Sequence, residues 1–183
     1  YLFGQIAATN VLSDVYDGTK YDLTKLPSGD PFADVTPDYA LCRRGTLSSI
    51  VADYAPETGS VLWTAIATPR MSFYMPLYVD IDGLPAFCEA FLPGEGENTS
   101  LFWEFKELCI LTQRRFARHM EITGKAKRKW EAHAAVVLAA HSRDMAQLPE
   151  SERRAARTKF DRAVLTSALE TCRETRHALL LQY

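Results

Sequence analysis

The sequence predicts an α+β chain, an antiparallel β meander followed by three C-terminal helices. Three observations predict it. Apolar residues alternate in twos between positions 46 and 79, and beyond Ser100 they recur at every third or fourth position instead. Two short turn signals, Pro56-Glu57-Thr58-Gly59 and Thr68-Pro69-Arg70, divide the alternating stretch into three strand-length pieces. The change of period falls after a stretch rich in Pro, Gly and Asp at 80–98, which sets the boundary between a unit at 1–98 and a helical unit at 99–183 packed on it.

Along the chain, residues 2–16 read as a short helix with Leu2, Ile6, Val11 or Leu12 and Val15 on one side, closed by Asp17-Gly18. Residues 18–42 have little periodicity and much Asp, Pro, Gly and Thr. They read as a long ordered excursion of the kind that serves function or an interface. Thr46–Tyr54 alternates, with at least one apolar face. Ser60–Ala67 is almost continuously apolar, as in a strand covered on both faces. Ser72–Val79 alternates again, and Pro76 inside it points to a sheet edge or a strand end. Three strands with two faces to cover make too little sheet to stand alone.

Ser100 reads as the N-cap of a helix whose stripe is Leu101, Phe105, Leu108, Cys109, Thr112, Phe116 and Met120, with Gly124 as its end. A second helix is expected over 126–147, with Trp130, Ala134, Val137, Leu138, His141 and Met145 on one side. Leu148-Pro149 then breaks the pattern. With Pro149 as its first residue, a third helix runs to about Leu181 on a stripe of Ala156, Phe160, Val164, Ser167 or Ala168, Cys172 and Leu179.

The composition, 47% hydrophobic and 24% charged over 183 residues, is that of an ordinary globular domain. No apolar run approaches the roughly 20 residues needed to span a bilayer, so no membrane span is expected. The first residues show no basic stretch ahead of an apolar one, so an intracellular protein is the expectation, in the cytoplasm or else in an organelle. A net charge of −2 conceals −8 over residues 1–98 and +6 over the remainder. Two units attracted to each other across an interface account for that split. The basic tract Lys125-Ala126-Lys127-Arg128-Lys129 reads as the solvated start of a helix. It has no interleaved aromatic platform, so nucleic acid is not an expected partner. Cys42, Cys88, Cys109 and Cys172 form no CxxC pair and have no His nearby in sequence, which argues against a metal site and for reduced thiols. No cofactor is expected.

Several segments resemble one family. Tyr16-Asp17-Gly18-Thr19, Tyr21-Asp22-Leu23-Thr24-Lys25 and Asp30-Pro31-Phe32 are similar to a segment of the dipeptidase branch of the N-terminal-nucleophile hydrolases, relatives of the secernins and choloylglycine hydrolases. Arg44-Gly45-Thr46-Leu47-Ser48-Ser49 resembles that family's Arg-Thr strand opening. Gly59–Trp63 and Pro69–Tyr78 resemble its next two strands, and Ser100–Phe105 with the Arg/Ala-rich helices beyond resembles its C-terminal helices. The likeness covers only the C-terminal part of the family's usual length. Where the family commonly has His before Tyr-Glu-Gly-Thr, this sequence has Val15-Tyr16-Asp17-Gly18-Thr19. The implied fold is an incomplete αββα sandwich.

The family's chemistry uses a cysteine at the mature N-terminus. Its thiolate attacks an amide carbonyl, and its own α-amine acts as base. Tyr1 cannot do this, and none of the four cysteines stands in that place. Cys42, beside Arg43 and Arg44, is the nearest to a candidate thiolate, but no general base lies near it in sequence. The chain is therefore expected to carry no catalytic residue of its own. Arg44, Arg70 and Ser72 are candidates to bind substrate, Arg44 by a bidentate grip on a carboxylate. Asp17, Asp22 and Asp30 read as turn and capping residues. Two functions follow. The chain is the C-terminal portion of a dipeptidase-like hydrolase, completed by a nucleophile-bearing half or a separate complementary chain, or it is a non-catalytic relative serving as a structural or interaction subunit of a larger assembly or homo-oligomer.

Overall fold

A computed structural model of the chain describes residues 8–13, 42, 45–55, 57–88 and 100–182. The three strands are β1 (Ser48–Asp53), β2 (Val61–Ile66) and β3 (Tyr74–Tyr78), each a little shorter than its apolar run. They form one antiparallel sheet in the order β1-β2-β3. The register sets Val51 opposite Trp63 and Trp63 opposite Pro76, so Ser49–Ala65–Tyr74 and Asp53–Val61–Tyr78 are rows on the same face. That face carries the buried half of β2 (Val61, Trp63, Ala65), and the intervening Leu62, Thr64 and Ile66 are only half-buried. The continuous apolar run suggested a strand covered on both faces. Here the alternation is hidden by sequence, because Leu62 and Ile66 are apolar on the less covered side.

Three long helices follow: α1 (Leu101–Arg114), α2 (Phe116–Gln147) and α3 (Glu150–Leu180). Ser100 caps α1 as the sequence indicates, its Oγ accepting from the Trp103 N–H at 3.5 Å. The expected end at Gly124 is not where the chain turns. It bends at Arg115 (φ −139°, ψ 60°), and Gly124 lies buried inside α2. Local hydrogen bonds make that elbow. Thr112 Oγ1 donates back to the Leu108 carbonyl (2.8 Å) and meets Thr123 Oγ1 (2.8 Å), and His119 Nδ1 donates to the Leu111 carbonyl (2.7 Å). The last carbonyls of a helix lack internal donors, and His119 supplies one. The apolar stripe runs through the bend because Phe116 is buried on the far side of it, so periodicity alone misses the break. Leu148-Pro149 does separate α2 from α3, with Pro149 just outside the helix rather than at its first position. Of the N-terminal helix expected over 2–16, the described part is helical at 8–12, and the rest lies outside the described residues. The excursion at 18–42 also lies outside them, apart from Cys42.

The core sits between the sheet and the helices. Phe73 meets Phe105 edge-on at 5.2 Å and stacks on Trp130 at 5.6 Å, joining the start of β3 to α1 and α2. Val164, Leu165, Ala168, Leu169 and Cys172 bring α3 into the same cluster. Glu104, buried on α1, receives Arg173 and Arg176 from α3, and Arg176 also reaches Glu107. The helices pack chiefly against β3 and β2, and β1 reaches the core through Val51. No described helix is long and apolar enough to cross a membrane.

Candidate functional site

Two of the three substrate-binding candidates, Arg70 and Ser72, lie on the loop between β2 and β3, and that loop is fixed from below. Lys127 Nζ donates to the carbonyls of Pro69 (3.1 Å) and Ser72 (2.7 Å) and to Glu131 Oε1 (2.6 Å), and it lies 4.9 Å from the centre of the Tyr74 ring. Burial lowers the Lys127 pKa, and Glu131 works against that shift by favouring the ammonium. The sequence suggested a solvated lysine at this position. Instead it is the pin of the loop, and the spacing to Glu131, four residues on, was the available signal. The loop opens at Ala67, which is buried with φ +64°, a left-handed conformation that costs an L-residue roughly 1–2 kcal/mol. The Ala67 N–H donates to the Leu47 carbonyl at 2.8 Å, which holds the loop to the sheet. Ser72 is fully buried and its hydroxyl has no hydrogen-bond partner among the described residues, so a substrate reaches it only if the loop lifts. Arg70 is half-buried, its guanidinium 5.7 Å from the centre of the Phe116 ring. Arg44, like Asp17, Asp22 and Asp30, lies outside the described residues.

The same Glu131 begins a second arrangement, along the outer edge of β3. The Val79 N–H bonds to the Ser60 carbonyl, so residues 75, 77 and 79 face β2, and 74, 76 and 78 point their backbone groups away from it. Tyr74 N–H donates to Glu131 Oε1 (2.8 Å) and Tyr78 N–H donates to Asp161 Oδ1 (3.0 Å). Between them Pro76 has no N–H to offer. Every outward donor of β3 is thus satisfied by a carboxylate from a helix or absent, which closes this edge to another strand. Asp161 is buried, and burial pushes its carboxyl up to about 7 against the opposing pull of the Tyr78 N–H. Its Oδ2 has no hydrogen-bond partner among the described residues. Tyr78 continues into a polar cluster: its hydroxyl meets His141 Nδ1 (3.2 Å) and Ser142 Oγ (3.4 Å), and Arg157, paired with Asp80 Oδ2 at 3.2 Å, lies by its ring. His141, half-buried, also packs on Phe160 at 4.5 Å, and desolvation lowers its pKa.

The opposite edge is different. The Leu47–Ala67 bond places residues 47, 49, 51 and 53 toward β2, so Ser48, Ile50 and Ala52 direct their N–H and C=O groups outward. All three are exposed, Ile50 at 53%, and Leu47 and Tyr54 at either end are more exposed still. No charged residue and no proline interrupts Leu47–Ala52. Among the described residues no strand pairs with this edge.

Burial pushes Cys88 up to about 11 and Cys109 up to about 12, and it raises Cys172 further. A thiol that stays protonated at neutral pH is a poor nucleophile. Cys42 is fully buried in the interior that also holds Tyr74, Lys127 and Cys109. No cluster of His, Cys, Asp and Glu suited to a metal ion occurs among the described residues. Comparison with known proteins finds no matching family and no matching curated protein.

Proposed function

We propose that this chain is a non-catalytic interaction subunit, built on part of an N-terminal-nucleophile hydrolase type of sandwich, whose sheet is completed across β1 by a strand from outside it. The observation that carries the reading is the contrast between the two sheet edges. Glu131, Pro76 and Asp161 close β3, while among the described residues Ser48, Ile50 and Ala52 leave β1 unpaired, with an uncharged, exposed edge. Solitary proteins blunt such edges with charge, proline or cover, and an edge left bare on one side only is a place for a strand to pair. The raised pKa values of Cys88 and Cys109 support this reading.

A second reading keeps catalysis. The chain is the C-terminal portion of a dipeptidase-like cysteine-nucleophile hydrolase, active when a nucleophile-bearing partner supplies the missing strand. The Lys127-pinned loop supports it, because it holds Arg70 and Ser72 in one geometry at a single end of the sheet. Incubating the purified chain with a panel of dipeptides separates the possibilities. The expected result is no hydrolysis, and turnover by the chain alone overturns the non-catalytic reading. Turnover that appears only with a co-purifying chain whose first residue is cysteine selects the second reading.

A further inference from the structure

The strand that completes β1, we propose, comes from a second copy of this chain, giving a two-fold dimer with a continuous six-stranded sheet. The inference rests on the interaction-subunit reading and names its partner. Antiparallel pairing centred on Ile50 sets Ile50 opposite its own copy and Ser48 opposite Ala52 of the partner copy. These are the residues whose backbone groups point outward, so each pairs with a residue that also points outward. The three pairs form roughly six N–H···O=C bonds between the copies.

Charge and closure favour a copy over a foreign strand. The paired segment contains no charged residue, so no like charges face each other across the two-fold axis. The first charge beyond it, Asp53, falls opposite Leu47 of the other copy. The two Asp53 carboxylates are then six residues apart along the strands, roughly 20 Å at about 3.4 Å per residue, well beyond a Debye length at physiological salt. The two-fold axis runs perpendicular to the sheet, so the helices of both copies lie on one side of it. Among the described residues, the three long helices make their main sheet contacts with β3 and β2 rather than with β1. Both outer edges of the joined sheet are β3 edges, closed by Glu131, Pro76 and Asp161. Growth therefore stops at two, as an isologous interface requires.

Native mass spectrometry of the full chain across a concentration series tests this. The expected result is a shift from 20.6 kDa to twice that mass as concentration rises, with no higher species. Ile50→Lys places two ammonium groups face to face at the axis and should weaken dimerisation roughly tenfold or more. Ala52→Pro removes an outward N–H that β2 does not use, so it should also break the dimer with the circular dichroism spectrum unchanged. If Ile50→Lys unfolds, Ala52→Pro and the wild-type series still decide. A monomer at every concentration overturns the inference, as does a dimer indifferent to both variants or a ladder of higher oligomers. A monomer that pairs with a different protein through β1 removes the second copy but leaves the interaction-subunit reading intact. Dipeptide turnover by the chain alone removes that reading itself.

Discussion

At the scale of single residues, three ionisable side chains, Asp161 buried and Lys127 and His141 half-buried, do work that their sequence neighbourhood hardly announces. Lys127 gives its hydrogen bonds to two loop carbonyls and to Glu131, so truncating it strands three acceptors in a poorly solvated place. Lys127→Met is expected to lower unfolding free energy by about 3 kcal/mol in urea denaturation. Asp161 has a folded pKa raised to about 7, so between pH 4 and 7 the folded state holds a proton that the unfolded state has lost. Its contribution to stability is present below pH 4 and fades as pH rises to 7, by about 1.4 kcal/mol for each pH unit. His141, with its pKa lowered by burial, acts in the opposite sense over part of that range. The cleaner test is therefore a difference. Asp161→Asn keeps an acceptor for the Tyr78 N–H without the charge. Its melting temperature should rise relative to the wild type from pH 4 to 7 and then hold level, and a constant difference would contradict the assignment. For Lys127 the spacing to Glu131 was a partial signal. Nothing local announced Asp161, whose partner is a backbone N–H 83 residues away.

At the scale of elements, the strands and the turns between them were legible because side chains alternate with the pleat, and the structure reproduces all three in the expected order. The α1–α2 elbow was not. Its cause is side-chain hydrogen bonding by Thr112 and His119, which leaves the apolar stripe unbroken. Two backbone positions carry predictions here. Ala67 sits at φ +64° with a side chain that needs no special space, so Ala67→Gly should stabilise the chain by about 1 kcal/mol, read as a higher denaturation midpoint. Gly59, at φ +100°, is the reverse case. A Cβ there would stand 2.8 Å from Arg157 Nε, and Arg157 is buried and paired with Asp80. Gly59→Ala should cost roughly 2 kcal/mol, from the strained backbone together with displacement of that guanidinium. An unchanged midpoint would show that the turn tolerates the methyl group.

At the scale of the whole molecule, the α+β architecture, with an antiparallel sheet ahead of long helices, could be read from the change of period, and Pro76 pointed to a sheet edge or a strand end, of which the structure shows the edge. That three strands are too little sheet to stand alone could be read as well, but which edge is closed could not, because it depends on which backbone donors meet Glu131 and Asp161 across the fold. Of the substrate-binding candidates, Arg70 and Ser72 fall on one loop, but the burial of Ser72 follows from tertiary packing that local sequence does not encode. The proposal that an outside strand completes the sheet stands on the difference between its two edges. Residue-resolved amide hydrogen exchange on the dilute chain tests that difference most directly. Slow exchange at Tyr74 and Tyr78 with fast exchange at Ser48, Ile50 and Ala52 is the predicted pattern. Protection at Ser48, Ile50 and Ala52 in a chain confirmed to be monomeric, or rapid exchange at Tyr74 and Tyr78, would contradict it.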